Sequence, residues 1–145
     1  MLLTPHFTIE ELAYTSNKEY KKQNLEEANK QIGNMYMLAG FAERVREIVG
    51  GPLTITSGYR CEKLNKKLGG AISSQHTKCE AIDFISKGLT TDQIACKIAA
   101  SDLKFRQLII EHGRGTTMWV HVSIGENREI LRYKNGKYTT IGELL

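Results

Sequence analysis

The chain has 145 residues, of which 41% are hydrophobic and 25% charged, with 20 Lys plus Arg against 16 Asp plus Glu for a net charge of +4. That length suits one ordinary domain, expected to span 1–145, and the apolar-to-charged balance excludes a disordered tail and a disulfide-dense miniprotein. The mild basic excess favours a polyanionic partner without naming one, and no stretch approaches the roughly 18 to 20 consecutive apolar residues of a membrane span.

The opening Met1–His6 has two leucines but lacks the basic start and apolar middle of a secretory signal, so synthesis in the cytosol is expected. Thr8-Ile9-Glu10-Glu11 fits a capping box and predicts a short helix over 9–14. Residues 17–29 are polar and charged with little apolar periodicity, and read as a solvated connector. From Ala28 the positions Ile32, Met35, Ala39, Ala42, Val45 and Val49 recur every three or four residues, which predicts the longest helix, stopped by Gly50, Gly51 and Pro52. Strands are predicted over 53–57 and 80–85, separated by a short helix over 62–68 and a small polar loop over 71–78. Thr90 and Gln93 repeat the capping-box spacing ahead of a helix over 91–100. Further strands are predicted over 108–110, 119–124, 129–134 and 137–141, the last two flanking the hairpin signal Asn135-Gly136. Helices first and strands later imply an α+β fold: an open, mainly antiparallel sheet with N-terminal helices packed on one face.

His76, Asp83 and His121 supply two imidazoles and a carboxylate, enough for a catalytic zinc that keeps its fourth position for water. On one straight helix the step from His76 to Asp83 would separate them by ~10 Å, whereas a loop followed by a strand can bring them together. Strand alternation puts His121 with Trp119 and Ser123 on one face and Val120 with Val122 on the other. By the same rule Ile82 and Phe84 face the core and Asp83 the opposite side, where a charge needs a partner and a divalent cation is a strong one. Cys61, Cys79 and Cys96 cannot all pair with one another and are taken as thiols.

Ser57-Gly58-Tyr59-Arg60, Ser74-Gln75-His76 with Ala81-Ile82-Asp83-Phe84, and Trp119-Val120-His121-Val122-Ser123 together resemble the zinc peptidases of the D-Ala-D-Ala carboxypeptidase and L-alanyl-D-glutamate endopeptidase family, peptidase family M15, in particular its small phage-type members. The resemblance runs from Phe7 to about Ile124 and leaves the last hairpin unmatched. It implies a hedgehog/DD-peptidase-like fold and one Zn2+ per chain held by His76, Asp83 and His121. It also implies that Arg60 holds a substrate carboxylate or polarises the scissile carbonyl, and that Ser74 adds a hydrogen bond to the peptide. Many members carry an acid three residues before the last zinc His, where this chain has Met118. Glu111 is the substitute, since a hairpin through Gly113 to Gly115 would fold it back beside His121 as in branches, and in the hedgehog signalling domain, that carry the acid on the preceding strand. Cys79 stands where the family usually has glycine: either position 79 does not need positive φ or it tolerates strain.

The expected activity is hydrolysis of a peptide bond in the peptidoglycan stem, L-Ala-D-Glu or a related one, by an endolysin-like monomer that reaches the wall after release. A D-Ala-D-Ala carboxypeptidase is the alternative within the class, and a non-catalytic zinc-stabilised wall-binding or virion structural module the alternative outside it. Nucleic-acid binding is not expected, because no basic stripe is interleaved with aromatics. Plainer roles stand beside these: Glu111 pairing with Arg114, Arg60 a surface cation, Trp119 a core aromatic or a groove wall, and Lys63, Lys66, Lys67 and Lys78 a solvated face. Cys79 as a fourth ligand would close the open position. His112, next to Glu111, either assists the site or lies in solvent with His6.

Overall fold

The computed structural model of the chain describes residues 1–141, so 142–145 of the expected domain lie outside the described residues. Two compact units make up the chain: Met1–Glu43 with Ile55–Ile82, and Arg44–Thr54 with the segment from Asp83 onward.

The first unit opens with two very short antiparallel strands, β1 (Leu2–Thr4) and β2 (Phe7–Thr8), too brief to show a period in the sequence. Helix α1 (Ile9–Leu12) starts at the expected capping box, Thr8 Oγ1 accepting from the Glu11 amide at 3.1 Å and Glu11 Oε1 from the Thr8 amide at 3.2 Å. It ends earlier than the pattern predicts, and the Leu12 carbonyl accepts instead from the Tyr59 amide at 2.7 Å. The supposed connector is a 3-10 turn (Lys18–Tyr20) followed by α2 (Lys21–Lys30). Only Asn24 and Ala28 of α2 are buried, so its inward face carries one apolar residue and no hydrophobic period. Asn24 is fully buried: its amide donates to the carbonyls of Ala13 at 2.8 Å and Tyr59 at 3.0 Å, and its oxygen accepts from the Cys61 amide at 2.7 Å.

The predicted long helix is interrupted at Gln31 and runs as α3 (Ile32–Val49), with Met35, Ala39, Ala42, Val45 and Val49 buried and Leu38 beside them. Helix α4 (Glu62–Lys67) follows, and part of the expected 71–78 loop is a 3-10 turn, Gln75–Lys78.

Strands β3 (Thr54–Ser57), β4 (Ala81–Ile85), β5 (Gln107–His112), β6 (Met118–Ser123), β7 (Glu129–Lys134) and β8 (Lys137–Thr140) take the order β3-β4-β6-β5-β7-β8. Helix α5 (Thr91–Ala99) begins at its Thr90–Gln93 capping box. It buries Ile94, Ala95 and Ile98, and the buried side chains of β5 and β6 include Leu108, Ile110, Val120 and Val122. The architecture is α+β with open sheets and several helices. Pairs β5/β6 and β7/β8 are antiparallel, while β5/β7 is parallel, a pairing that alternation within single strands cannot announce. Asn135 (φ 53°) and Gly136 (φ 75°) both take the left-handed backbone that a two-residue hairpin of this kind requires.

Asn24 joins three backbone groups through one buried side chain. Asn24→Ala strands them in a buried place and is expected to lower unfolding free energy by about 2–4 kcal/mol, read from the midpoint of urea denaturation.

Candidate metal centre and active site

Ser57 ends β3, and Gly58 follows in a crowded place: a Cβ there would come within 2.2 Å of the Leu12 carbonyl oxygen, so only glycine lets the two backbones approach. The Gly58 carbonyl lies 2.7 Å from His76 Nδ1, which donates to it and leaves Nε2 as the nitrogen able to ligate. The backbone of His76, in its 3-10 turn, is held on both sides. Ser74 Oγ accepts from the His76 amide at 3.3 Å, and the Arg60 amide donates to the His76 carbonyl at 3.1 Å. Cys79 closes the turn at φ 58°, ψ 35°, so of the two readings of this position the tolerated left-handed backbone is the one that holds. Ser74 and Arg60 therefore both lie against His76, through its backbone.

In β4, Ile82 and Phe84 are fully buried and Asp83 between them is only 8% exposed. His121, in β6, is 5% exposed, and its Nδ1 lies 2.9 Å from Asp83 Oδ1. His76, Asp83 and His121 each offer a ligand atom, and these atoms all lie within 4.8 Å of one another. Two ligands bound at about 2.0 Å to a tetrahedral ion sit roughly 3.3 Å apart, so the set fits a small divalent cation. Two nitrogens and one carboxylate oxygen are also the donor set of open, catalytic zinc sites rather than of closed thiolate ones.

Glu111 falls where the hairpin argument puts it. Register pairs Ile109 with His121 and Glu111 with Trp119, so these four residues share one face, with Glu111 diagonal to His121. Glu111 Oε1 stands 3.8 Å from His121 Nδ1, beyond hydrogen-bond length and at the rim of the ligand group. Trp119 is half-buried, its ring close enough to Gly113 that a Cβ there would come within 2.7 Å of Cζ3. His112 lies on the other face of β5, where Arg132 Nη1 donates to its Nε2 at 2.8 Å. Burial, then the Arg132 and Lys134 charges, lowers its pKa from the usual histidine value.

Cys79 does not belong to the His76-Asp83-His121 group. Its thiol is 3.6 Å from Gln31 Oε1 and 3.8 Å from Met35 Sδ, outside the metal-binding group. None of Cys61, Cys79 and Cys96 forms a disulfide.

The sequence reading missed the Gly58 carbonyl, which the Ser-Gly-Tyr-Arg stretch contained but which alternation of side chains cannot reveal. It also missed Tyr138. That phenol's pKa is raised by burial, then by the nearby Glu111 carboxylate, with Tyr133 and the Asp83 carboxylate adding to it.

The sequence model of the family described as Peptidase M15 matches residues 5–123, the segment that holds all three candidate ligands and Glu111. The chain belongs to the Peptidase M15 family. No curated protein matches it. Membership in the M15 family makes it a peptidase by family, and the His76-Asp83-His121 group accords with a metallopeptidase. No helix of the described residues is long and apolar enough to cross a membrane.

Burial, with the Glu80 charge adding to it, pushes the Cys79 thiol up to about 11 from 9.0. The thiol is therefore protonated at neutral pH, and the stability gained from burying it is present below pH 9.0 and lost as pH rises through about 11. Alkylation at about pH 8 should modify half-buried Cys96 well before Cys79, which mass mapping of labelled peptides would read.

Proposed function

We propose that the chain, as one domain over 1–145, is a zinc-dependent peptidoglycan hydrolase of the small phage-type, endolysin-like kind. It would cut a peptide bond in the stem peptide, L-Ala-D-Glu or a related one, after release from the cytosol where it is made. The observation that carries this reading is a buried His76-Asp83-His121 group with the Glu111 carboxylate 3.8 Å from one of its histidines, inside a segment matched by the Peptidase M15 family.

His76, Asp83 and His121 would hold one Zn2+ per chain. A divalent ion there would supply Lewis acidity, drawing the pKa of water from ~15.7 toward ~7. Glu111 accepts the proton from the attacking water and delivers it to the departing amine, so each cycle returns the carboxylate to its starting state. The water oxygen adds to the amide carbon, then the C–N bond breaks as the nitrogen takes up the proton, leaving a carboxylate and a free amine with no covalent enzyme intermediate.

Arg60, whose backbone is tied to that of His76, offers a planar fork of donors to a substrate carboxylate or to the scissile carbonyl. Ser74, beside His76, adds a hydrogen bond to the peptide, and Trp119 forms one wall of the groove. A working monomer suffices, and neither nucleic acid nor a membrane span has a part in it.

Purified muropeptides incubated with the protein, and their new termini identified by mass, test this directly. An L-Ala-D-Glu cut supports the endopeptidase, whereas free D-Ala as the sole product replaces it with the carboxypeptidase. Glu111→Gln should lower turnover by at least about 100-fold while metal content stays near one per chain. Unchanged function in that variant would establish a non-catalytic, zinc-stabilised module instead. His76→Ala should lose the metal altogether, read by elemental analysis of protein purified without added zinc.

A further inference from the structure

The family match ends at residue 123, yet the sheet continues through β7 and β8. Register places this extra hairpin relative to Glu111. In the pairing of β5 with β7, Glu111 stands opposite Tyr133, and in the pairing of β7 with β8, Tyr133 stands opposite Tyr138. Directly paired residues share a face, so Trp119, Glu111, Tyr133 and Tyr138 form one row across four strands. The next row on that face runs His121, Ile109, Leu131 and Thr140. The two tyrosine rings lie 4.7 Å apart at 51°, an aromatic pair that fixes both. Tyr138, two strands from Glu111 in this row, is 61% exposed.

We propose that the β7–β8 hairpin is a substrate wall, in which Tyr138, supported by Tyr133, sets specificity for the peptide on the amine side of the cleaved bond. This rests on the peptidase reading above. The direction follows from the proton path: Glu111 gives its proton to the departing amine, so that half of the substrate leaves past Glu111. Glu111 is flanked on one side by Trp119 of β6 and on the other by Tyr133 of β7. On the β7 side, away from β6 and His121, the chain presents aromatic faces suited to flat peptide groups and methylene stems. A substrate with several residues beyond the cut reaches these rings, and one with a single residue does not. The wall therefore favours cutting within a stem over trimming its end.

The test compares two synthetic probes, N-acetylmuramyl-L-Ala-D-Glu and the N-acetylmuramyl tetrapeptide that continues with a diamino acid and D-Ala. In the unaltered protein the tetrapeptide should show a KM roughly two- to tenfold below that of the shorter probe. Tyr138→Ala should raise the tetrapeptide KM by roughly that factor, with kcat held within about twofold and the shorter probe unaffected. Tyr138→Phe keeps the ring and should keep the preference. Tyr133→Ala should reproduce part of the loss, by freeing the Tyr138 ring. If the unaltered protein cleaves both probes but does not distinguish them, or if the preference survives Tyr138→Ala, the wall is overturned while the peptidase reading stands. If the unaltered, metal-loaded protein cleaves neither probe, the L-Ala-D-Glu endopeptidase reading fails and the wall fails with it.

Discussion

A carboxylate removed from water costs several kcal/mol unless something offsets its charge, and Asp83 is such a carboxylate. It stands in β4 between Ile82 and Phe84, two fully buried side chains, and is itself only 8% exposed. The offset begins with His121, whose Nδ1 is 2.9 Å away. His76 brings a second nitrogen to the same place. Apolar packing thus holds a negative charge in position, and a negative charge flanked by two imidazoles is a place that could hold a metal ion. The chemistry proposed for this M15 peptidase depends on that tension between core packing and an unwilling anion.

The sheet then acts as a ruler. Because side chains alternate, one choice of face for His121 decides the face of every residue paired with it. Glu111 lands diagonal to His121, His112 on the opposite surface against Arg132, and the tyrosines of the last hairpin in the row with Glu111. A slip of one residue in β5 would exchange Glu111 for His112 and take the carboxylate away from His121. The buried pairs Leu108 with Val122 and Ile110 with Val120 hold the register against such a slip.

His76 is held by different means, since it rides on a 3-10 turn rather than a strand. Its ring is aimed by one backbone carbonyl, that of Gly58, and Gly58 is placed by the close approach of Leu12. Asn24 braces the same neighbourhood through Ala13, Tyr59 and Cys61, which explains why a helix with almost no apolar face is nonetheless folded. The left-handed backbone at Cys79 is a strained conformation for a side chain larger than glycine's, of the sort that surrounding structure must hold in place.

Periodicity in the sequence was enough to find α3, α5 and most strands, because each buries a repeating apolar face, and both capping boxes were visible as local spacing. The ordered motifs around Arg60, His76, Asp83 and His121 were also sufficient for the family, because ligand types and their order survive in the linear chain. Helix α2 was invisible, since its inward face is held by the hydrogen bonds of Asn24 rather than by apolar burial. The parallel pairing of β5 with β7 was invisible too, because a strand's own residues do not say which neighbour it will meet or in which direction. Which carbonyl aims His76, which way the Cys79 thiol points, and that Tyr138 stands in line with Glu111 are distances between segments far apart in the chain. Only the folded structure decides such distances, because they are set by register and packing that no single segment contains.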